Sequence, residues 1–372
     1  MKLLIVSTAP LIDKDLVKFA YSPYLNELII WDKYVDEIDF CCPIWESKKK
    51  LLVTPVPFEI SKLYKVKDFN LNSFTNILIS PIFVFQTIIT LFKAMQKADH
   101  IHLRCPGNMG LIGSLVQILF PNKTKTAKYA GNWDPKSRQP FTYRLQKWIL
   151  STTFLTRNMQ VLVYGQWEGS SKNIKPFFTA TYYEVDKLPI VSKDLQQKIY
   201  FVFVGTLVSG KNPLFAIKIV EALHKNGHNV VLTLYGEGIE RNRLEEYINK
   251  NNLESFISLK GNQTQDTLKK AYKKSHFVIL PSESEGWPKA IAEGMFWGCV
   301  PVASQVSCVP FMLDYGKRGV LLNMNLEKDV SQIEALLQNE TNYNNISVKA
   351  SDWSRNYTLD VFEKEIKKMV QK

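Results

Sequence analysis

The second half of the chain alternates short, continuous apolar runs with stretches of helical periodicity, and few folds satisfy that pattern. The runs are Tyr200–Val204, Val230–Tyr235, Phe256–Leu259, Phe277–Pro281, Val300–Ala303 and Val320–Leu322. A strand that is apolar at every position is buried on both faces, which requires a mostly parallel sheet covered by helices on each side. The stretches between the runs are long enough for crossover helices. One of them, at 213–226, has Asn212 as N-cap, Pro213 at its first position and Gly227 just past its end. The pattern predicts a doubly wound α/β domain starting near Lys198.

With 372 residues, two domains are expected, each large enough to bury a core without disulfides or metal. In the first half, Leu3–Ser7 and Glu37–Cys41 read as strands around a helix at 22–34, and His100–Leu103 and Ala127–Ala130 as further strands. Residues 183–197, YEVDKLPIVSKDLQQ, are polar with one proline and read as a connection. The resulting scheme is a first domain at 1–185, a linker at 186–197, a second domain at 198–352 and an amphipathic helix at 353–372. The start, MKLLIVSTAP, has too short an apolar run for a signal peptide before Asp13, Lys14 and Asp15. Within the greasy stretch Ile77–Met95 and just beyond it, Gln86, Thr90, Lys93 and Lys97 fall on one stripe of a helix. A spanning helix needs about 20 mostly apolar residues, so this one is expected to be amphipathic and soluble. Five cysteines (Cys41, Cys42, Cys105, Cys299 and Cys308) without a CxxC pair suit a reducing compartment, and the expected location is cytoplasmic.

The net charge is +12, unevenly spread. Residues 1–190 hold 24 basic against 15 acidic residues; 100–180 alone holds 11 basic residues, with only Asp134 and Glu168 as acids. Such a field attracts polyanions, anionic membrane or phosphorylated ligands, and a plain lysine-rich surface accounts for it equally well. No RNP, helix-turn-helix or zinc-finger signature accompanies the charge, so nucleic acid is not the expected partner. Residues 141–155, FTYRLQKWILSTTFL, interleave aromatics with Arg144 and Lys147. A core-facing helix is the default there, although a basic amphipathic helix also suits an anionic membrane surface.

Ligands of doubly wound domains bind outside the carboxyl ends of the strands, so the strand-to-helix loops are where chemistry is sought. In PSESEGWPKAIAEGMFWG, Pro281–Gly298, a strand ends, Glu285 sits on the loop, Pro288 opens a helix and Glu293 lies inside it. Trp287, the expected N-cap, offers no capping oxygen, which leaves the Lys289 and Ala290 N–H groups free for an anion. In FVFVGTLVSGKNP, Gly205 and Gly210 permit close backbone approach and Lys211 is a mobile cation suited to phosphate. It is neither a P-loop, since Asn212 stands where Ser or Thr is needed, nor GxGxxG. LYGEG, Leu234–Gly238, is a third such loop, followed by Arg241 and Arg243. Taken singly, these are also ordinary solvated loops. His100 and His102 share a strand face without a third ligand, so no metal is expected. His224 and His228 flank Gly227 and are expected to face solvent.

In this order and at these intervals, FVGTLVSGKNP, LYGEG and PSESEGWPKAIAEGMFWGCVPVAS resemble the carboxyl-terminal donor domain of family 4 glycosyltransferases. The resemblance is specific over about 200–322 and architectural over 1–190. It implies the GT-B fold: two Rossmann-like doubly wound domains facing across a cleft, with a C-terminal helix crossing back to the first. It further implies a retaining, metal-independent transfer from a nucleotide diphosphate sugar to a glycan or lipid-linked saccharide, with the donor phosphate as leaving group. Glu285 then meets the donor sugar hydroxyls, Glu293 the ribose and Lys211 the diphosphate. Gly205, Thr206, Gly286, Trp287 and Lys289 line the sugar and phosphate; Gly236, Glu237 and Gly238 border the nucleotide, and Asn262 lies near the base. Peripheral contact with the inner face of an anionic membrane would account for the basic 100–180 region.

Three positions depart from the family pattern. Thr206 stands where an arginine is usual, Pro288 replaces a glycine, and YAGNWD lacks the first-domain histidine. Lys289 or the first-domain base Arg104 is the candidate substitute for the arginine, and Asn132 or Asp134 for the histidine; Arg104, Asn132 and Asp134 are the acceptor-side candidates. The alternative reading is a catalytically silent nucleotide-sugar-binding partner.

Overall fold

The computed structural model describes residues 1–14, 17–47, 52–67 and 74–371, with 74–80 in backbone only. Asp15, named after the first strand, and Lys372, the last residue of the span 353–372 expected to be helical, lie outside the described residues. The chain divides into two compact units, 1–177 with 363–371, and Phe178–Phe362.

In the first unit, among the described residues, one sheet contains β1 (Lys2–Val6), β2 (Leu11–Lys14), β3 (Val17–Tyr21), β4 (Glu37–Trp45), β5 (Val53–Pro55), β6 (Lys62–Val66), β7 (His100–Cys105), β8 (Thr124–Tyr129), β9 (Met159–Tyr164) and β10 (Ile174–Phe177). The order β10-β9-β8-β7-β1-β4 is parallel throughout, and β6 joins β4 in parallel. The antiparallel pairs β2–β3 and β3–β5 extend one edge. Alternation along β7 assigns its side chains to two faces. On one, Ile101 and Leu103 share a core with Leu91 and Met95 of the helix Phe74–Lys97, Met109 and Ile112 of Asn108–Val116, and Leu150 of Phe141–Ser151. Three helices therefore cover this face side by side. The outer side of the first is more apolar than a single polar stripe predicts, because Ile82, Phe85, Ile89 and Phe92 are exposed beside Gln86, Lys93 and Lys97.

On the opposite face lie His100, His102 and Arg104. Both imidazoles meet Thr126 Oγ1, at 2.9 and 2.8 Å, and Trp31 of the helix Ser22–Asp32 packs against them. Burial pushes the His100 pKa down to about 4, and the His102 pKa well below its usual range. Beyond them Glu27 accepts from Arg104 Nη1 at 2.9 Å and Lys128 Nζ at 2.6 Å, while the guanidinium lies 3.8 Å from the Tyr24 ring centre. Burial by itself would raise the Glu27 carboxyl, but Lys128 and Arg104 outweigh it and hold it at about 2.

The second unit is all parallel: β11 (Ile199–Val204), β12 (Val230–Tyr235), β13 (Ile257–Leu259), β14 (Phe277–Leu280), β15 (Val300–Ser304) and β16 (Val320–Leu322), in the order β13-β12-β11-β14-β15-β16. Each apolar run of the sequence is one of these strands. The chain order reverses between β11 and β14, the switch point where open α/β sheets bind ligands.

The unit boundary falls at Phe177/Phe178 rather than at 185/186, and 186–197 is not a free linker. Phe178 packs on Tyr357 and Phe362, and Tyr182 on Phe296 and Trp297. Lys193 donates to the carbonyls of Ser275 and Gly298, and Arg355 to that of Leu188. Polar side chains and bare carbonyls thus dock a segment whose composition reads as loop. The tail is two helices, Glu340–Ser354 and Leu359–Val370, rather than one at 353–372. Glu363 of the latter accepts from Lys33 and Tyr34 within the first unit. No helix among the described residues is long and apolar enough to cross a membrane. All five cysteines are free and buried.

Removing Glu27 leaves two buried cations facing one another. Glu27→Ala should cost about 3–5 kcal/mol of stability at neutral pH, measured by urea unfolding. Because the folded-state pKa is depressed from 4.5 to about 2, the contribution is present above the unfolded pKa and fades as pH falls through that window. The gap between parent and variant should narrow accordingly on acidification.

Candidate functional site

The loops after β11 and β14 are neighbours because their strands are. Glu283 N donates to Gly210 O at 2.9 Å, and Lys211 Nζ meets Glu285 Oε1 at 2.5 Å. The carboxylate is 6% exposed and the lysine side chain 29%, so the pair has a buried acid and a partner that reaches toward solvent. Lys211 ends the short turn Ser209–Lys211, after which Asn212 takes a left-handed conformation (φ 48°) and the helix Pro213–Lys225 begins. Asn212 is the N-cap as expected, but it acts through its backbone shape; its side chain makes no cap bond.

Two more loops, after β12 and β13, close around these by backbone contact. Gly205 N donates to Tyr235 O, Gly236 N to Gly261 O and Leu207 N to Glu237 O, all at 2.9–3.0 Å. Gly236 has φ +137°, and a Cβ there would lie 1.9 Å from Gly205 O; one on Gly238 would lie 2.1 Å from Leu207 O. Both glycines are steric requirements of this closure. Glu237 is paired with Arg241 Nη1 at 2.6 Å, while Thr206 and Asn262 are exposed.

The helix Lys289–Phe296 starts one residue later than the sequence suggests, with Pro288 rather than Trp287 at the N-cap and no side chain capping it. Lys289 stands at its first position. Ile291 and Ala292 donate to Pro288 O at 3.0 and 3.2 Å. Trp287 is buried against Trp353 and Tyr357, so its ring serves the unit's aromatic core. Gly286 O accepts from Cys308 Sγ at 3.1 Å.

Glu293 is held elsewhere: it accepts from Thr181 Oγ1 at 2.7 Å and Tyr272 OH at 3.1 Å. Burial, reinforced by the Glu293 charge, drives the Tyr272 phenol well above its usual range and keeps it a donor. Lys289, Glu293, Thr179, Thr181 and Tyr357 line a small pocket of the second unit. Lys211 and Glu285 are thus brought together, whereas Glu293 belongs to a separate hydroxyl-lined recess.

The three acceptor-side candidates all lie in the first unit. Arg104 is committed to Glu27 and Tyr24. Asn132 and Asp134 shape their own loop: Asp134 N donates to Asn132 Oδ1 at 2.9 Å and Lys136 N to Asp134 Oδ1 at 2.8 Å. His228 is half-buried and meets Glu334 at 3.2 Å, while His224 is exposed as expected and stacks on Phe256. Sequence reasoning missed Glu27, Lys128, Thr181 and Tyr272. The signal for the first two was a carboxylate inside LNELII and a lysine inside TAKYA, charges amid largely uncharged runs.

Residues 186–353 match the family model Glycosyl transferases group 1, so the second unit carries a domain of that family. The GtfA subunit of the UDP-N-acetylglucosamine–peptide N-acetylglucosaminyltransferase of Limosilactobacillus reuteri is 32% identical over 131 residues, 35% of this chain and 24% of that one. The capsular polysaccharide biosynthesis glycosyltransferase CapH of Staphylococcus aureus is 30% identical over 112 residues, 28% of this chain and 30% of the relative. The chain spans less than half the length of the curated relatives it matches. Among solved structures, HepE of Anabaena, determined with UDP and glucose, superposes with a TM-score of 0.68 at 13% identity, covering 100% of this chain and 99% of that one. The fold is that of the GT-B glycosyltransferases.

The loop closure makes a direct prediction. Gly236→Ala and Gly238→Ala should each destabilise the second unit by about 2 kcal/mol or more, since a Cβ collides with backbone that cannot swing aside. Chemical denaturation monitored by tryptophan fluorescence checks this, with Gly210→Ala as a control, because a Cβ at Gly210 meets nothing within 4 Å.

Proposed function

We propose that the protein is a retaining, family 4 glycosyltransferase that moves a sugar from a nucleotide diphosphate donor to a hydroxyl of a glycan or lipid-linked saccharide. The observation that carries this reading is the Lys211–Glu285 pair, set on two adjacent loops at the switch point of a parallel sheet. The family match over 186–353 and the printed activities of the relatives support it. The UDP bound by HepE makes a UDP-sugar the first donor to test.

The chemistry follows from charge. When a sugar leaves a diphosphate, negative charge builds on the leaving oxygens. Lys211 is a mobile cation suited to that charge, and the uncapped start of the helix Lys289–Phe296 offers further N–H donors. A diphosphate competes for Lys211 and leaves Glu285 to accept from sugar hydroxyls, fixing the ring. Charge stabilisation by lysine and backbone in a half-buried site does the work otherwise given to a metal ion. No metal is therefore required in this reading. Glu293, with Thr181 and Tyr272, forms a hydroxyl-bonding recess suited to the ribose, and Gly236–Gly238 with Asn262 form the nucleotide's border. A lipid-linked acceptor, as polysaccharide biosynthesis uses, places the enzyme on the cytoplasmic side as a peripheral protein.

One observation favours a silent nucleotide-sugar-binding subunit instead: Thr206 is exposed and supplies no second cation. The two readings separate in one experiment. Thermal unfolding is measured with UDP-, GDP-, ADP- and CMP-sugars, followed by a transfer assay with the donor that shifts it. A donor at about 100 times its Kd should add roughly 2.7 kcal/mol, and Lys211→Ala should abolish the shift. Glu285→Ala should lower transfer by about 100-fold or more while leaving the bare nucleoside diphosphate bound. Binding without transfer would establish the silent subunit. No shift with any donor would overturn both.

A further inference from the structure

The helices Phe74–Lys97, Asn108–Val116 and Phe141–Ser151 lie side by side on one face of the first unit's sheet, and their inner sides share one core. Their outer side is unlike an ordinary solvated surface in two independent ways. Phe85, Leu119, Phe141, Trp148 and Phe154 are each 61–73% exposed, on or just beyond these helices. Phe92 touches Phe120 at 5.2 Å, which joins the first helix to the segment following the second. At the same time none of the three helices contains an Asp or Glu. The exposed charges among the apolar residues are Lys93, Lys97, Arg144 and Arg157, and Arg138 precedes the third helix.

Scattered exposed apolar residues are normal, but a run of large rings and aliphatics across three adjacent helices is a binding surface. The charge selects its occupant. A second copy of the chain would bring one acid-free cationic face against another, and like charges oppose that pairing. A bilayer rich in anionic headgroups accepts both components: rings enter the interfacial layer, and Lys and Arg stay at phosphate level. The face also borders a groove at the amino ends of β8–β10 that is lined by Phe154, Arg157, Lys172 and Lys175. Further phosphate headgroups fit there.

We infer that the outer face of these three helices is the surface by which the protein docks on anionic membrane, with Phe85, Trp148 and Phe154 entering the interface and Lys93, Arg144 and Arg157 contacting headgroups. The inference deepens the reading of a lipid-linked acceptor, on which its biological sense rests. Vesicle binding is nevertheless measured without donor or acceptor.

The test is co-sedimentation of the full chain with vesicles of phosphatidylcholine alone or mixed with phosphatidylglycerol. Binding is expected to the mixed vesicles only and should weaken as salt is raised. The triple variant Phe85→Ser/Trp148→Ser/Phe154→Ser should lose affinity for them about tenfold or more, and so should Lys93→Gln/Arg144→Gln/Arg157→Gln. All six side chains are exposed, so melting curves and the donor-induced thermal shift should match the parent's. That keeps the outcome separate from the transfer reading: a failed donor screen leaves vesicle binding standing, and the reverse holds too. Absent binding to the mixed vesicles, equal binding to neutral ones, or apolar variants that bind like the parent would overturn the inference. So would a concentration-dependent dimer in sedimentation velocity that the same substitutions abolish, which would assign the face to a second copy.

Discussion

Parallel strands buried on both faces constrain everything else in each unit. Their edges and interiors leave no place for an unpaired charge, so polar chemistry is driven to the loops at the strand ends. In the second unit this produces a layer of loops packed backbone to backbone. Gly236 and Gly238 permit that packing, and through it four separate loops become one surface. The Lys211–Glu285 pair exists only because β11 lies beside β14; the two residues are 74 positions apart in the chain. The site is therefore a consequence of strand order, as much as of the residues that compose it.

That dependence explains what could be read from the sequence and what could not. All six strands of the second sheet were legible, because continuous apolar runs between helical stretches have one structural solution. In the first unit β10 is only four residues long and contains Pro176, and β2, β3 and β5, at the other end of the sheet, are short and partly exposed, so they carry little apolar signal. The boundary was misplaced for a related reason. Composition reports side chains but not their distant partners: Phe178 and Tyr182 pack on rings more than 100 residues away, and 186–197 is held by Lys193, Arg355 and backbone carbonyls. Glu27 was invisible as a partner, since nothing local joins it to Arg104 or Lys128, 77 and 101 residues away.

The two glutamates of the PSESEGWPKAIAEGMFWG segment show how far spacing carries an argument. Seven residues separate Glu285 and Glu293, but the first lies on a loop and the second on a helix, so helical geometry does not place them together. Their surroundings differ in kind. Glu285 faces a cation and is suited to a site where charge changes. Glu293 faces two hydroxyls and is suited to recognising a polyol without charge transfer. Resemblance assigns both to one donor; the partners each has found explain why two carboxylates would divide that task.

The basic surplus of the first half changes meaning once burial is known. Part of it is internal: Arg104 and Lys128 neutralise Glu27 and do not face solvent at full strength. Lys125 donates to Phe120 O, and burial lowers its pKa to about 8. Counting charges along the sequence therefore overstates the external field. Part of what remains outside, Lys93, Lys97 and Arg144, lies on helices that expose aromatic rings and carry no acids. Charge alone would attract any polyanion, and apolar exposure alone would fit any hydrophobic partner. Their coincidence on one helical face is the stronger constraint, because an anionic bilayer satisfies both at once and nucleic acid satisfies only the first.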